Sequence, residues 1–105
     1  MEILKADWAL FKIKFPKWQE AYMNRLSQEY IALLSSNQPS STKFWALEKR
    51  IKQDKKSPGI QIQLQKSEML WDLVALIHDG VITESDLSDF SEELRQQIHY
   101  ILSRG

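Results

Sequence analysis

The sequence contains no cysteine and little glycine or proline, with three residues of each among 105. Without cysteine the chain can form no disulfide, no thiolate nucleophile and no cysteine-based zinc or iron–sulfur site. The few glycines also exclude a glycine-rich phosphate-binding loop. The absence of cysteine indicates a reducing compartment, so we expect a cytoplasmic protein.

Long hydrophobic runs are missing as well. The longest uninterrupted apolar stretch covers residues 73–77, whereas a membrane-spanning helix needs about 20 apolar residues. Met1 is followed by no basic and then apolar leader. These absences predict a protein that neither crosses a membrane nor is exported.

The composition that is present is typical of one folded domain. The chain has 43% hydrophobic and 10% aromatic residues, with no internal repeat or low-complexity segment. Such values are ordinary for a globular protein, and a length of 105 residues suits a single domain with one core. We therefore predict one domain over residues 1–105.

The net charge is zero, but the charges are unevenly distributed. Residues 1–67 contain 12 Lys and Arg against 6 Asp and Glu, a net charge of +6; residues 68–105 contain 2 against 8, a net charge of −6. This split could steer association between copies or with a charged partner. Basic and acidic helices packed side by side explain it more simply.

Hydrophobic periodicity predicts helices in the first half of the chain. Large apolar residues recur every three or four positions from Leu4 to Leu33, which describes one helical face. Proline is tolerated in the first turn of a helix and not in its interior, so Pro16 predicts a short helix before Phe15 and a long one over residues 16–35. A single kinked helix is the alternative. Residues 11–15 also alternate with period two, which would suit a short strand, but a helix is favoured.

A loop at residues 35–41 precedes a second predicted helix over residues 42–55, which residues 57–59 stop. Its apolar face consists of Phe44, Leu47 and Ile51, and Trp45 lies to one side of it.

Residues 60–65 alternate strictly between apolar and polar side chains. This pattern predicts an extended segment or a short strand. A lone strand leaves its backbone unpaired, so it needs a partner, either residues 11–15 or the same segment of a second molecule. Ile60, Ile62 and Leu64 are therefore candidate interaction residues.

The last third of the sequence predicts two more helices. Ser67 caps the third, whose broad apolar face spans residues 69–77 and which Gly80 ends. Thr83 and Asp86 resemble a capping box for one short turn, and Ser91 starts the fourth helix. The predicted fold is all-α, a small bundle of about four helices with one short extended segment near residues 60–65.

No residues form a recognisable catalytic or metal-binding constellation. Residues 79–86 resemble the second half of a calcium loop, but Ala75 and Ile77 occupy positions that need oxygen ligands. His78 and His99 have no further ligand at helical spacing. We expect no enzyme, no catalytic residue, no metal and no cofactor.

A basic segment and two tryptophans remain as interaction candidates. The segment carries Lys49, Arg50, Lys52, Lys55 and Lys56, which could bind nucleic-acid phosphate with Trp45 stacking on a base. A neutral overall charge argues against this reading. Trp8, Trp18 and Tyr22 share the apolar face of the first helices and are expected in the core. Trp45 and Trp71 lie off the apolar lines of their helices, so each is either exposed or packed on a partner.

Two segments carry a resemblance to a known family: FWALEKRIKQDKKSPG at residues 44–59 and LIHDGVIT at residues 76–83. They look like segments of an uncharacterised family of small helical proteins of low-GC Gram-positive bacteria. The resemblance implies a cytoplasmic bacterial protein and carries no activity with it. Residues 76–87 are also similar to the Gly-x-Ile-Thr turn of short C-terminal oligomerisation domains.

The sequence thus predicts a non-enzymatic protein-interaction or regulatory module with an unidentified protein partner, able to associate into a homodimer and not bound to a membrane. A nucleic-acid-associated protein that uses residues 49–56 is the alternative.

Overall fold

The fold is all-α, as the sequence predicts. A computed structural model describes residues 2–105, and among them there is no strand. Two 3-10 turns, Lys66–Glu68 and Glu84–Leu87, join the helices of the second half. The five helices are α1 (Lys5–Leu34), α2 (Ser40–Asp54), α3 (Pro58–Gln61), α4 (Met69–His78) and α5 (Glu92–Arg104).

Helix α1 runs through Pro16 without a break, so the prediction of two helices is wrong and the single-helix alternative holds. The strand alternative for residues 11–15 is wrong for the same reason. Proline removes one backbone hydrogen bond. Aromatic packing on both sides of it offsets this loss: the rings of Phe11 and Phe15 lie 5.7 Å apart, and those of Phe11 and Trp18 lie 6.3 Å apart.

The hydrophobic core lies between the first half of α1, α4 and α5. Met69, Leu73 and Leu76 of α4 are fully buried, and they contact a cluster that the loop after α4 completes with Ile82, Leu87 and Phe90. Trp8 and Trp18 pack against this core as expected, each partly buried.

Asp7 ties the start of α1 to the start of α5. Its buried carboxylate accepts hydrogen bonds from the backbone N–H and the hydroxyl of Ser91, at 2.9 and 2.6 Å. The same Ser91 hydroxyl caps α5 by accepting from the N–H of Leu94. These two part-buried hydrogen bonds therefore join the start of α1 to the start of α5.

Residues 60–65 divide between two structures. Ser57 caps α3 and Pro58 occupies its first turn, so Ile60 and Gln61 are helical. Residues 62–65 have no regular secondary structure, in agreement with an extended segment, and they pair with no strand within residues 2–105. Ile62 and Leu64 pack against the core of their own chain. These two side chains are therefore partly buried within their own chain.

The molecule is elongated. Its dimensions are 52 × 28 × 20 Å and its radius of gyration is 16.5 Å, against about 13 Å for a compact domain of this size. The extra length comes from the second half of α1 and from α2, which turns back along it. Helix α2 has no buried residue. We call residues 23–54 the arm.

Candidate functional site

A polar network holds α2 against α1. The phenol of Tyr30 donates to the carboxylate of Asp54 at 2.5 Å, and the guanidinium of Arg50 donates to Glu29 at 2.9 Å. Arg50 also lies 3.5 Å from Asp54 and stacks over the ring of Tyr30. Burial and the bond to Asp54 raise the pKa of Tyr30 to about 12, so the phenol stays protonated as a donor. The bond to Glu29 raises the pKa of Arg50, which remains charged.

This network decides which side of α2 faces inward. The half-buried positions of the helix are Lys43, Ala46, Leu47, Arg50 and Asp54. At 3.6 residues per turn, Phe44 and Ile51 lie roughly a quarter of a turn away from the centre of that side. Phe44 is 63% exposed and Ile51 is 39% exposed. Although the apolar stripe of a helix normally faces the core, this stripe lies largely in solvent.

We call Phe44, Leu47 and Ile51 the α2 stripe. They line a shallow groove of about 350 Å³ whose other lining residues are Glu48, Lys52 and Lys55. A second groove, of about 250 Å³, runs between the two helices of the arm and contains Ile51 and Lys55 as well. Its remaining walls are formed by Met23, Leu26, Ser27, Tyr30, Asp54 and Ile60. Because the grooves share Ile51 and Lys55, they lie side by side on the arm.

The two candidate tryptophans are both exposed. Trp45 is 65% exposed and its ring meets that of Phe44 edge to face, with 4.9 Å between centroids. It therefore extends the aromatic end of the α2 stripe. Trp71 is 57% exposed on α4, whose opposite face is in the core. The structure places these two residues on different elements.

The five basic candidates do not act as one patch. Arg50 is engaged by Glu29 and Asp54, and Lys52 lies 3.1 Å from Glu48. Lys55 borders both grooves, and Lys49 and Lys56 are exposed elsewhere on the same segment.

The three apolar candidates Ile60, Ile62 and Leu64 lie on two different parts of the molecule. Ile60 lines the groove between the helices of the arm, and its carbonyl accepts from the side-chain amide of Gln19. Ile62 and Leu64 lie against the main core. Only Ile60 therefore borders the same surface as the α2 stripe.

The turn that resembles a calcium loop has a structural role. Gly80 adopts a φ of +77° at the end of α4. The Asp86 carboxylate accepts from the N–H of Thr83 at 2.8 Å, which completes the predicted capping box. Within residues 2–105, no group of three His, Cys, Asp or Glu side chains is arranged to hold a metal ion.

The two histidines lie on the surface. His78 is exposed at the last position of α4. Nδ1 of His99 lies 2.9 Å from Glu84 in an open groove between the second 3-10 turn and α5. Both partners of that pair are exposed, so the contact between the turn and the helix contributes little to the free energy of unfolding.

Asp72 is a partly buried carboxylate on α4. Partial burial on α4, together with the nearby charge of Glu68, raises its pKa to about 6. Its buried Oδ2 has no hydrogen-bond partner among the described residues. The ionised form is therefore poorly stabilised in the folded chain.

The exposure of the α2 stripe is the feature that sequence reasoning missed. A weak signal was present, because α2 carries few large apolar residues among many charges, and Arg50 and Asp54 are spaced to share one side of the helix. Such spacing does not reveal which side another helix will cover.

Comparisons with known proteins add no functional assignment. Among the described residues, no helix is long and apolar enough to span a bilayer. Searches against protein-family models, curated proteins and solved structures found no match to this chain.

Proposed function

We propose that this chain is a non-enzymatic interaction module of the bacterial cytoplasm that binds a protein partner through the α2 stripe. The observation that carries the proposal is the exposure of Phe44 and Ile51 on a projecting arm, beside the exposed ring of Trp45. Contiguous exposed apolar residues mark interaction surfaces, and aromatic side chains dominate the energy of many interfaces.

Burial of the stripe supplies a driving force for binding. Removing one large apolar side chain from water contributes roughly 1.5–3 kcal/mol. In the free chain, the polar contacts of Tyr30 and Arg50 hold the arm together and leave Phe44 and Ile51 exposed. A partner can therefore cover it without unfolding the arm.

Self-association is one form of this proposal. The +6 and −6 halves would allow a two-fold dimer in which unlike charges meet. Sedimentation velocity at micromolar concentrations and two salt concentrations tests it: a dimer that weakens with salt supports this form, and a monomer under all conditions excludes it.

Nucleic-acid binding is the second candidate function. Lys49, Lys55 and Lys56 are exposed, and Lys49 lies about one helical turn from the exposed Trp45. Basic residues with an aromatic ring can bind phosphate and stack on a base. Arg50, however, is held by carboxylates. Electrophoretic mobility of mixed DNA and RNA probes at low salt tests this candidate. Binding that falls steeply with salt and is lost when the five basic residues are reversed would support it.

The principal experiment is quantitative affinity purification from the native host. Phe44→Ser and Ile51→Ser baits are compared with the unmodified chain, and Ile13→Ser is the matched control, since Ile13 is 59% exposed on α1 outside the arm. We expect the same proteins on the unmodified and Ile13→Ser baits, and their loss from the two stripe variants. Equal capture by all four baits would contradict the proposal.

A further inference from the structure

We infer that two copies of this chain bind each other through their two exposed tryptophans, with the surface around Trp45 of one copy against the surface around Trp71 of the other. This inference rests on the proposed function and names a second copy as the partner. We call the first surface the basic surface and the second the acidic surface.

The basic surface carries lysines that have no carboxylate beside them. Trp45, Lys49, Lys52 and Lys56 lie three or four residues apart, on one side of α2 and of the turn that follows it. Glu48 lies on the same side and pairs with Lys52 at 3.1 Å. Within residues 2–105, Lys49 and Lys56 form no salt bridge. Three lysines against one glutamate leave a net charge of +2 beside the exposed ring of Trp45.

The acidic surface has the opposite arrangement. Glu68, Trp71 and Asp72 lie within one turn on the side of α4 that faces away from the core. Glu68 forms no salt bridge with any described residue, and the buried Oδ2 of Asp72 has no hydrogen-bond partner among them. Burial and the charge of Glu68 both raise the pKa of Asp72. The two carboxylates therefore lie close together beside the exposed ring of Trp71, and a cation from another molecule would stabilise them.

Other charged and aromatic residues of this part of the chain have partners of their own. Lys66 lines a groove beside the start of α1 together with Glu2. Tyr100 is 54% exposed, but Arg104 donates to its hydroxyl at 2.8 Å and stacks over its ring. Tyr100 therefore presents a cation, which a basic surface disfavours. Trp71 is the exposed aromatic residue of the acidic half that has carboxylates without a cation beside it.

The two surfaces are complementary in charge, and each contains an exposed tryptophan. When they meet, the two unpaired lysines of one copy face the two carboxylates of the other, whereas a surface that meets its own kind brings like charges together. The tryptophan rings supply apolar area, and Phe44 adds to it because its ring meets that of Trp45 edge to face. Every copy carries both surfaces, so a two-fold dimer forms the same contact twice.

Reversal of the charge on each surface tests the inference. In the first variant, Lys49→Glu and Lys56→Glu make the basic surface acidic. In the second, Glu68→Lys and Asp72→Asn make the acidic surface basic. Sedimentation velocity of each full chain is measured from micromolar to submillimolar concentration at low and high salt, and the two variants are also measured as an equimolar mixture. Thermal unfolding shows that each variant is folded.

A matched control removes the effect of net charge alone. Lys5→Glu with Lys17→Glu gives the same net charge as the first variant, and both lysines are exposed on α1 outside the two surfaces. We expect this control and the unmodified chain to dimerise at low salt and to dissociate as the salt concentration rises.

We expect each charge variant alone to dimerise roughly tenfold or more weakly than the control, because like charges then face each other in both contacts. The mixture should restore the dimer, because each reversed surface meets unlike charge on the other variant. Trp45→Ala and Trp71→Ala should each weaken the dimer of the unmodified chain by roughly tenfold or more.

Four results would overturn the inference: a monomer at every protein and salt concentration, charge variants that dimerise as strongly as the control, a mixture that stays monomeric, and association that requires added RNA or DNA. If the chain is monomeric but the Phe44→Ser and Ile51→Ser baits lose host proteins, the proposed function stands and only the identity of the partner is wrong. If the chain is monomeric and all baits capture the same proteins, both fail.

Discussion

The phenol of Tyr30 donates a 2.5 Å hydrogen bond to Asp54 and thereby sets the side of α2 that faces α1. Tyr30 is one of the large residues that recur every three or four positions along α1. Its hydroxyl group, however, makes the hydrogen bond that joins α1 to α2. Arg50 reinforces the contact by stacking on the Tyr30 ring and bonding to Glu29. Polar groups therefore contribute much of the interface between the two helices of the arm, and the exposed Phe44 and Ile51 are left for another surface, whereas Leu47 is half-buried.

Removal of the Tyr30 hydroxyl should loosen the arm. Tyr30→Phe leaves a half-buried carboxylate with one partner fewer, so we expect a loss of about 1–2 kcal/mol in the free energy of unfolding and faster hydrogen exchange of the α2 amides. Tyr100→Phe is the matched control, because Tyr100 is exposed on α5. Equal exchange of α2 in both variants would show that the network does not hold the arm.

Truncation of two phenylalanines should lower the free energy of unfolding by very different amounts. Phe11→Ala opens a cavity in the core, and we expect it to lower the free energy of unfolding by about 3–5 kcal/mol. Phe44→Ala removes a side chain that is mostly in solvent, so its effect should stay within about 0.5 kcal/mol. Chemical denaturation of the two variants measures both. A large loss in Phe44→Ala would mean that the stripe is buried in solution.

Gly59→Ala should destabilise the chain by steric conflict. A Cβ at Gly59 would lie 2.7 Å from Cδ2 of Tyr22 and 2.9 Å from Cγ2 of Val81, so we expect a cost of about 1–3 kcal/mol. Gly80→Ala meets no atom within 4 Å but requires a positive φ, so its cost should be about 1 kcal/mol, from the backbone alone. Val81→Ala should recover part of the loss in Gly59→Ala and none of the loss in Gly80→Ala. Thermal unfolding of the single and double variants checks this difference.

The raised pKa of Asp72 predicts a pH dependence of stability. The ordinary value is 3.8 and the folded value is about 6, so between these pH values the folded chain binds more protons than the unfolded chain. The contribution of Asp72 to stability therefore falls as pH rises from about 4 to about 6. Asp72→Asn should remove this slope and raise the melting temperature at pH 7.

A matched control separates Asp72 from the other carboxylates. Asp89 is exposed and paired with Lys14 at 3.0 Å, so Asp89→Asn should keep the fall between pH 4 and pH 6. If Asp72→Asn keeps the same slope as Asp89→Asn, the desolvation of Asp72 is not its cause.

Local sequence determined several of the helix ends. Gly80, Thr83 with Asp86, and Ser91 each act on their own backbone neighbours, so their roles as caps and stops could be predicted without knowledge of the rest of the chain. The spacing of apolar residues likewise predicted helix α4 and its buried face. Short-range backbone chemistry accounts for these successes.

The predicted cap by Ser67 is wrong, because Ser67 lies within the first 3-10 turn and α4 starts at Met69 with Glu68 at its N-cap and no side-chain cap bond. Helix α3, which Ser57 caps, was not predicted.

Tertiary structure decided the course of α1 through Pro16 and the exposure of the α2 stripe. A helix continues through a proline when packing on both sides outweighs one missing hydrogen bond, and here that packing includes a core completed by residues more than 50 positions away. Likewise, the side of α2 that faces α1 depends on where Glu29 and Tyr30 meet Arg50 and Asp54, across 21 and 24 residues of chain. Periodicity identifies an apolar face of a helix, but whether another surface covers that face depends on contacts between distant residues.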